Sequence, residues 1–112
     1  SGVFACTSDR AAKHDFTPVN GRSVLRRLSA LPVTTWSYKS EKGGVRHMGP
    51  MAQDFRKAFG LGTDDKSIGQ LDEAGVTLAA IKELNATARR QQRLLDAQAA
   101  QIARLERRLA RR

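Results

Sequence analysis

From Val76 to Leu109 the chain carries an apolar repeat at alternating three- and four-residue steps, with no Gly or Pro after Gly75. With Ile81 at heptad position a, the seam runs through Ile81, Leu84, Ala88, Gln91, Leu95, Gln98, Ile102, Leu105 and Leu109. Arg89, Arg90, Arg93, Arg104, Arg107 and Arg111 fall at b, c or f, the positions that face water in a two- or three-stranded coil. A stripe this narrow predicts one long helix that covers its seam with partner helices. Gln91 and Gln98 at d cost stability relative to leucine, but they fix register against slipped assemblies. Isoleucine at a with leucine at d suits a dimer, whereas glutamine layers also suit three strands. The alternative is a surface helix folded back onto its own domain.

At 112 residues the chain is one small domain plus the helix. The part before Val76 is short enough that its core is marginal unless assembly extends it. No apolar run approaches the ~20 residues that span a bilayer, and the opening shows no secretory leader pattern. Cys6 is the single cysteine, so no internal disulfide forms and no thiolate metal cluster is expected. No cofactor is implied. The formal net charge is +9. Eight arginines lie on the coil itself, from Arg89 to Arg112, and they interleave with the seam rather than preceding it as a basic zipper requires. A solvated outer face is therefore preferred over specific nucleic-acid binding, which stays as a rival function.

Ser1 to Thr7 is small and apolar, with an alternation that suits the last strand of an upstream segment. Ser8 to Phe16 is polar and charged. Asn20 as N-cap, Val24, Leu25, Leu28 and Leu31 at helical spacing, and Pro32 as stop predict a helix from Gly21 to Ala30. Arg22, Arg26 and Arg27 fall on its outer side. Val33 to Lys39 reads as a strand with Trp36 and Tyr38 on one face. Gly43-Gly44 turns the chain, and Val45 to Met48 returns as a second strand. Pro50 opens a helix carrying Met51, Phe55, Ala58 and Phe59 on one face, which Gly60 ends. Ser67 to Leu71 reads as a short strand and Asp72 to Gly75 as a turn, with Val76 opening the long helix.

Four motifs now stand in order: Ser-Asp-Arg-x-x-Lys (Ser8 to Lys13), Leu-Pro-Val-Thr-x-Trp-x-Tyr-Lys (Leu31 to Lys39), Gly-x-x-Ala-Gln-Asp (Gly49 to Asp54) and Leu-Ala-Ala-Ile-Lys-Glu-Leu (Leu78 to Leu84). Together they resemble the endosialidase-type intramolecular chaperone domain, found at the C-terminus of phage tailspikes and tail fibres. The resemblance implies an α+β, mainly helical fold, with a small hairpin and short helices at the root of a parallel homotrimeric coiled coil. It also implies three parts: the end of an upstream segment (1–7), a chaperone domain (8–75) and a coiled-coil helix (76–112). The implied function is to trimerise and to help an upstream fibre fold, the partners being two further copies and the upstream domain of the same chain. The implied setting is a virion tail fibre or a prophage-encoded fibre, folded in the host cytoplasm.

Many members of this family then cut themselves off before the motif serine. Carried over, Ser8 is the nucleophile, Lys13 its proton acceptor and Thr7-Ser8 the cleaved bond. Asp9 and Arg10 match the motif as supporting residues without an assigned role. His14-Asp15-Phe16 departs from the more frequent Glu-Asn-Ile, which leaves two alternatives open, a self-releasing chaperone and a permanent trimerisation cap. Geometry sets the test. Five residues of extended chain span roughly 16 Å and put the two side chains on opposite faces, so the segment must turn sharply or a neighbouring subunit must supply Lys13.

Other residues read more simply. Trp36, Tyr38, Phe55 and Phe59 are expected to pack rather than bind a ligand. His14 and His47 lack metal-ligand spacing, Asp64-Asp65 is too short for a helix-loop-helix calcium site, and Gln53 and Asp54 are expected to orient their helix through local hydrogen bonds.

Overall fold

A computed structural model describes residues 5–112. The element order is a single 3-10 turn at Arg10–Ala12, α1 (Gly21–Ala30), β1 (Thr34–Trp36), β2 (His47–Gly49), α2 (Ala52–Phe59) and α3 (Gln70–Ala110). The architecture is therefore three α-helices, the last very long, with a small two-stranded antiparallel hairpin. The upstream strand expected over Ser1 to Thr7 lies in part outside the described residues, and Ala5 to Thr7 pair with no strand.

Helix α1 has the predicted bounds, and the Asn20 side chain caps it by accepting the Ser23 amide at 3.1 Å. Helix α2 starts later than Pro50 suggested. Met51 is its N-cap, without a side-chain bond, and Pro50 lies outside the helix. Proline's preference for the first turn is only a preference, and here it extends the chain between β2 and the helix. Gly60 ends α2 as expected, in the left-handed conformation at φ 65 that an L side chain resists.

Both strands are shorter than the β-branched runs suggested, three residues each, in the register Thr34 to Gly49, Thr35 to Met48 and Trp36 to His47. Gly43 and Gly44 both take positive φ in the connecting loop, as the turn reading required. Trp36 and Tyr38 do share a face, their ring centroids 4.7 Å apart and edge-on. His47 joins them at 5.1 Å from each ring. The Trp36 indole donates to the Gly49 carbonyl at 3.2 Å, which ties the second motif to the start of the third.

The largest departure is at the root of α3. Ser67 to Leu71 forms no strand and Asp72 to Gly75 no turn, because α3 begins at Gln70. Asp72 and Glu73 occupy its first turn, where carboxylates complement the helix dipole. A mid-helix glycine such as Gly75 costs roughly 1 kcal/mol relative to alanine, but continuing the helix brings Val76 and Ala80 into the core. That core is small: Leu31, Phe55 and Val76 form one cluster, with Val24, Leu28, Ala58, Phe59 and Ile68 packed around it.

Past the domain α3 runs alone. Its 41 residues are about 62 Å long at 1.5 Å per residue. They stretch the molecule to 76 × 42 × 31 Å, with a radius of gyration of 22.1 Å where a compact chain of this size would have about 13 Å.

Candidate functional site

The sequence left Ser8 and Lys13 needing a sharp turn, and the chain makes one. Asp9 keeps extended backbone, its side chain accepts the Ala11 amide at 2.9 Å, and the chain closes a 3-10 turn over Arg10–Ala12. The Lys13 amide then donates to the Arg10 carbonyl at 3.2 Å. This reversal brings the Lys13 Nζ within 2.6 Å of the Ser8 Oγ, inside one chain. The contact is a short hydrogen bond, and both residues are exposed. Arg10 contributes its carbonyl to the turn.

Immediately downstream, His14 Nδ1 meets Asp15 Oδ2 at 2.8 Å on the surface. Asp15 sits at φ 56, a left-handed conformation that asparagine and aspartate tolerate best. The departure from Glu-Asn-Ile thus keeps, at its middle position, a residue suited to that backbone.

The residues of the expected seam lie along α3. Ile81, Leu84, Ala88, Gln91, Leu95, Gln98, Ile102, Leu105 and Leu109 are all exposed in the single chain, Ile102 at 56% and Leu109 at 65%. A second stripe, at heptad positions c and g, faces the domain instead. Val76 and Ala80 are buried on it, and Glu83, Thr87 and Arg90 continue it along α1.

This second stripe corrects the reading of Arg90. Arg90, expected to face water, is half-buried and donates to Glu83 Oε1 at 3.1 Å and Thr87 Oγ1 at 2.9 Å. Arg22 of α1 approaches the same glutamate at 3.7 Å. Arg27 stays exposed on the outer side of α1, as expected, and its guanidinium donates to the Ala58 carbonyl at 2.7 Å, fastening α1 to α2. Glu83 had no assigned role in the sequence, although it lies in the fourth motif. Gly21 allows its approach, since a Cβ there would stand 3.0 Å from Glu83 Oε2.

Two open grooves flank α1, one against α2 and one against α3, and neither includes Ser8 or Lys13. Among the described residues no group of three or more His, Cys, Asp or Glu side chains could hold a metal ion. No helix among them is long and apolar enough to cross a membrane.

The match to known proteins falls on this same segment. Residues 8–60 match the model of the family described as the chaperone of endosialidase. The match opens at Ser8 and takes in three of the four motifs, so the endosialidase-type chaperone resemblance holds over that segment. No curated protein matches the chain.

Proposed function

We propose that the chain is a C-terminal intramolecular chaperone that forms a homotrimer, assists folding of an upstream tail-fibre or tailspike segment and releases itself between Thr7 and Ser8. Its parts are the end of the upstream segment (1–7), the chaperone domain (8–75) and the coiled-coil helix (76–112). The observation that carries this reading is the 2.6 Å contact between Lys13 and Ser8, made within one chain at the point where the family match begins. The exposed seam of α3 supports the assembly role.

The chemistry follows from one residue's connectivity. The Ser8 Oγ lies one residue past the Thr7 carbonyl carbon, so its attack closes a five-membered ring. A serine hydroxyl needs a base to take its proton, and a lysine serves only as the neutral amine. Lys13 Nζ takes the hydroxyl proton as Oγ bonds to the Thr7 carbonyl carbon. The Thr7-Ser8 C–N bond then breaks, and the leaving nitrogen takes that proton back from Lys13. Water hydrolyses the resulting ester, freeing the Thr7 carboxylate and restoring the Ser8 hydroxyl. The reacting bond belongs to the chain itself, so no substrate pocket is required.

The account explains why a fibre benefits from a removable aid. Intertwined trimers have high contact order, and holding three chains in register lowers the entropic barrier to their pairing. Once the aid is gone, refolding and unfolding are both slow and the fibre is kinetically stable.

Intact mass of freshly expressed protein with its native upstream segment tests the reading. Wild type is expected to split between Thr7 and Ser8, while Ser8→Ala and Lys13→Ala stay whole. Mixed Ser8→Ala and Lys13→Ala chains are expected to stay whole as well, since the pair is built within one chain. Rescued cleavage in the mixture would overturn the single-chain pair, and an uncut wild type would leave a permanent trimerisation cap.

A further inference from the structure

Asp9 follows the serine directly, and the turn beyond it hangs on its side chain. Its Oδ1 accepts the Ala11 amide at 2.9 Å, and its carbonyl accepts the Ala12 amide at 3.0 Å. Backbone on both sides of the turn is extended, with Asp9 at φ −67, ψ 132 and Lys13 at φ −121, ψ 155. Arg10–Ala12 is the only thing that reverses the chain between the two side chains of the pair. A 3-10 turn of three residues is too short to be stable through its own hydrogen bonds. Every residue from Ser8 to Lys13 is exposed, so no apolar packing holds the turn in the single chain.

We propose that Asp9 is a positioning residue for the Ser8 and Lys13 pair, acting through the hydrogen bond from its side chain to the Ala11 amide. This rests on the reading of Ser8 and Lys13 as a cleaving pair. The role is that of an acceptor and not of a charge, because the Asp9 carboxylate accepts the Ala11 amide and, among the described residues, forms no ion pair with Lys13. Asparagine offers the same Oδ1 acceptor without the charge.

The test compares Asp9→Ala, Asp9→Asn and wild type, each as the full chain with its upstream segment. Cleavage rate is followed by intact mass across a pH series. Exchange of the Ala11 amide is followed separately in a Ser8→Ala background, where cleavage cannot intervene. Asp9→Ala is expected to slow cleavage and to speed Ala11 exchange by a similar factor, about 2- to 30-fold, the range that losing an N-cap produces. Asp9→Asn is expected to stay close to wild type in both, with the pH midpoint of cleavage unmoved. Asp9→Ala cleaving at the wild-type rate, or Asp9→Asn failing as alanine does, overturns the inference. Absence of cleavage in wild type sinks the cleaving-pair reading instead, and unchanged Ala11 exchange in Asp9→Ala then overturns the positioning role separately.

Discussion

Asp64 shows how a single side chain can hold a loop that no core supports. Its carboxylate accepts the Lys66 amide at 2.8 Å, the Ser67 amide at 3.0 Å and the Ser67 hydroxyl at 3.1 Å. The Lys66 amide, then the Ser67 hydroxyl, favour the charged form and hold its pKa below the ordinary value of 3.8. A depressed carboxylate stabilises the fold above its unfolded pKa and loses that contribution as pH falls through the folded one. Asp64→Ala should therefore melt below wild type at neutral pH, with the gap closing under pH 3.8. Thermal unfolding across a pH series checks this, and a gap unchanged in acid would contradict it. The sequence reading correctly took Asp64 for turn chemistry. What it did not reach was Asp9, because a capping aspartate before a three-residue turn leaves no periodicity to read, and the same holds for the left-handed Asp15.

At the scale of elements, legibility followed local signals. Helix α1 was readable to the residue because a capping asparagine, an apolar repeat and a stopping proline agree. The strands are shorter than the sequence pattern suggests, since β-branched and aromatic residues continue past the three that pair. Val33, Tyr38 and Val45 lie outside the ladder and remain exposed. Helix α3 begins earlier than its sequence suggests, because Asp72 and Gly75 resemble a turn while burial of Val76 favours helix. Its second stripe was missed for a related reason: Glu83, Thr87 and Arg90 are polar, so only the structure reveals that they face α1.

The element that joins the others is α2. Phe55 is 4% exposed and packs with Leu31 of the α1 C-cap and Val76 of α3, while Phe59 lies 5.0 Å from it ring to ring. Phe55→Ala should cost about 3–5 kcal/mol by the usual scale for deleting a buried aromatic. Chemical denaturation would measure it. A cost under 1 kcal/mol would mean that α2 is not what joins α1 to α3.

At the scale of the whole molecule the imbalance, among the described residues, is between a core of four buried apolar residues and a helix of 41. Small domains bury too little surface to be robust alone. Leaving Ile81, Leu84, Leu95, Ile102, Leu105 and Leu109 in water forgoes about 1.5–3 kcal/mol per side chain, the gain from fully burying each one. The net charge of +9 opposes close approach of copies at low salt and is screened over about 8 Å at physiological ionic strength. The proposed assembly would bury this apolar surface, with Gln91 and Gln98 as its polar layers.

Assembly is the claim on which the proposed chaperone role rests. Sedimentation equilibrium of the Ser8→Ala chain at physiological salt tests it most directly. The account predicts a single species at three times the 12.3 kDa chain mass, and a monomer at micromolar concentration would contradict it.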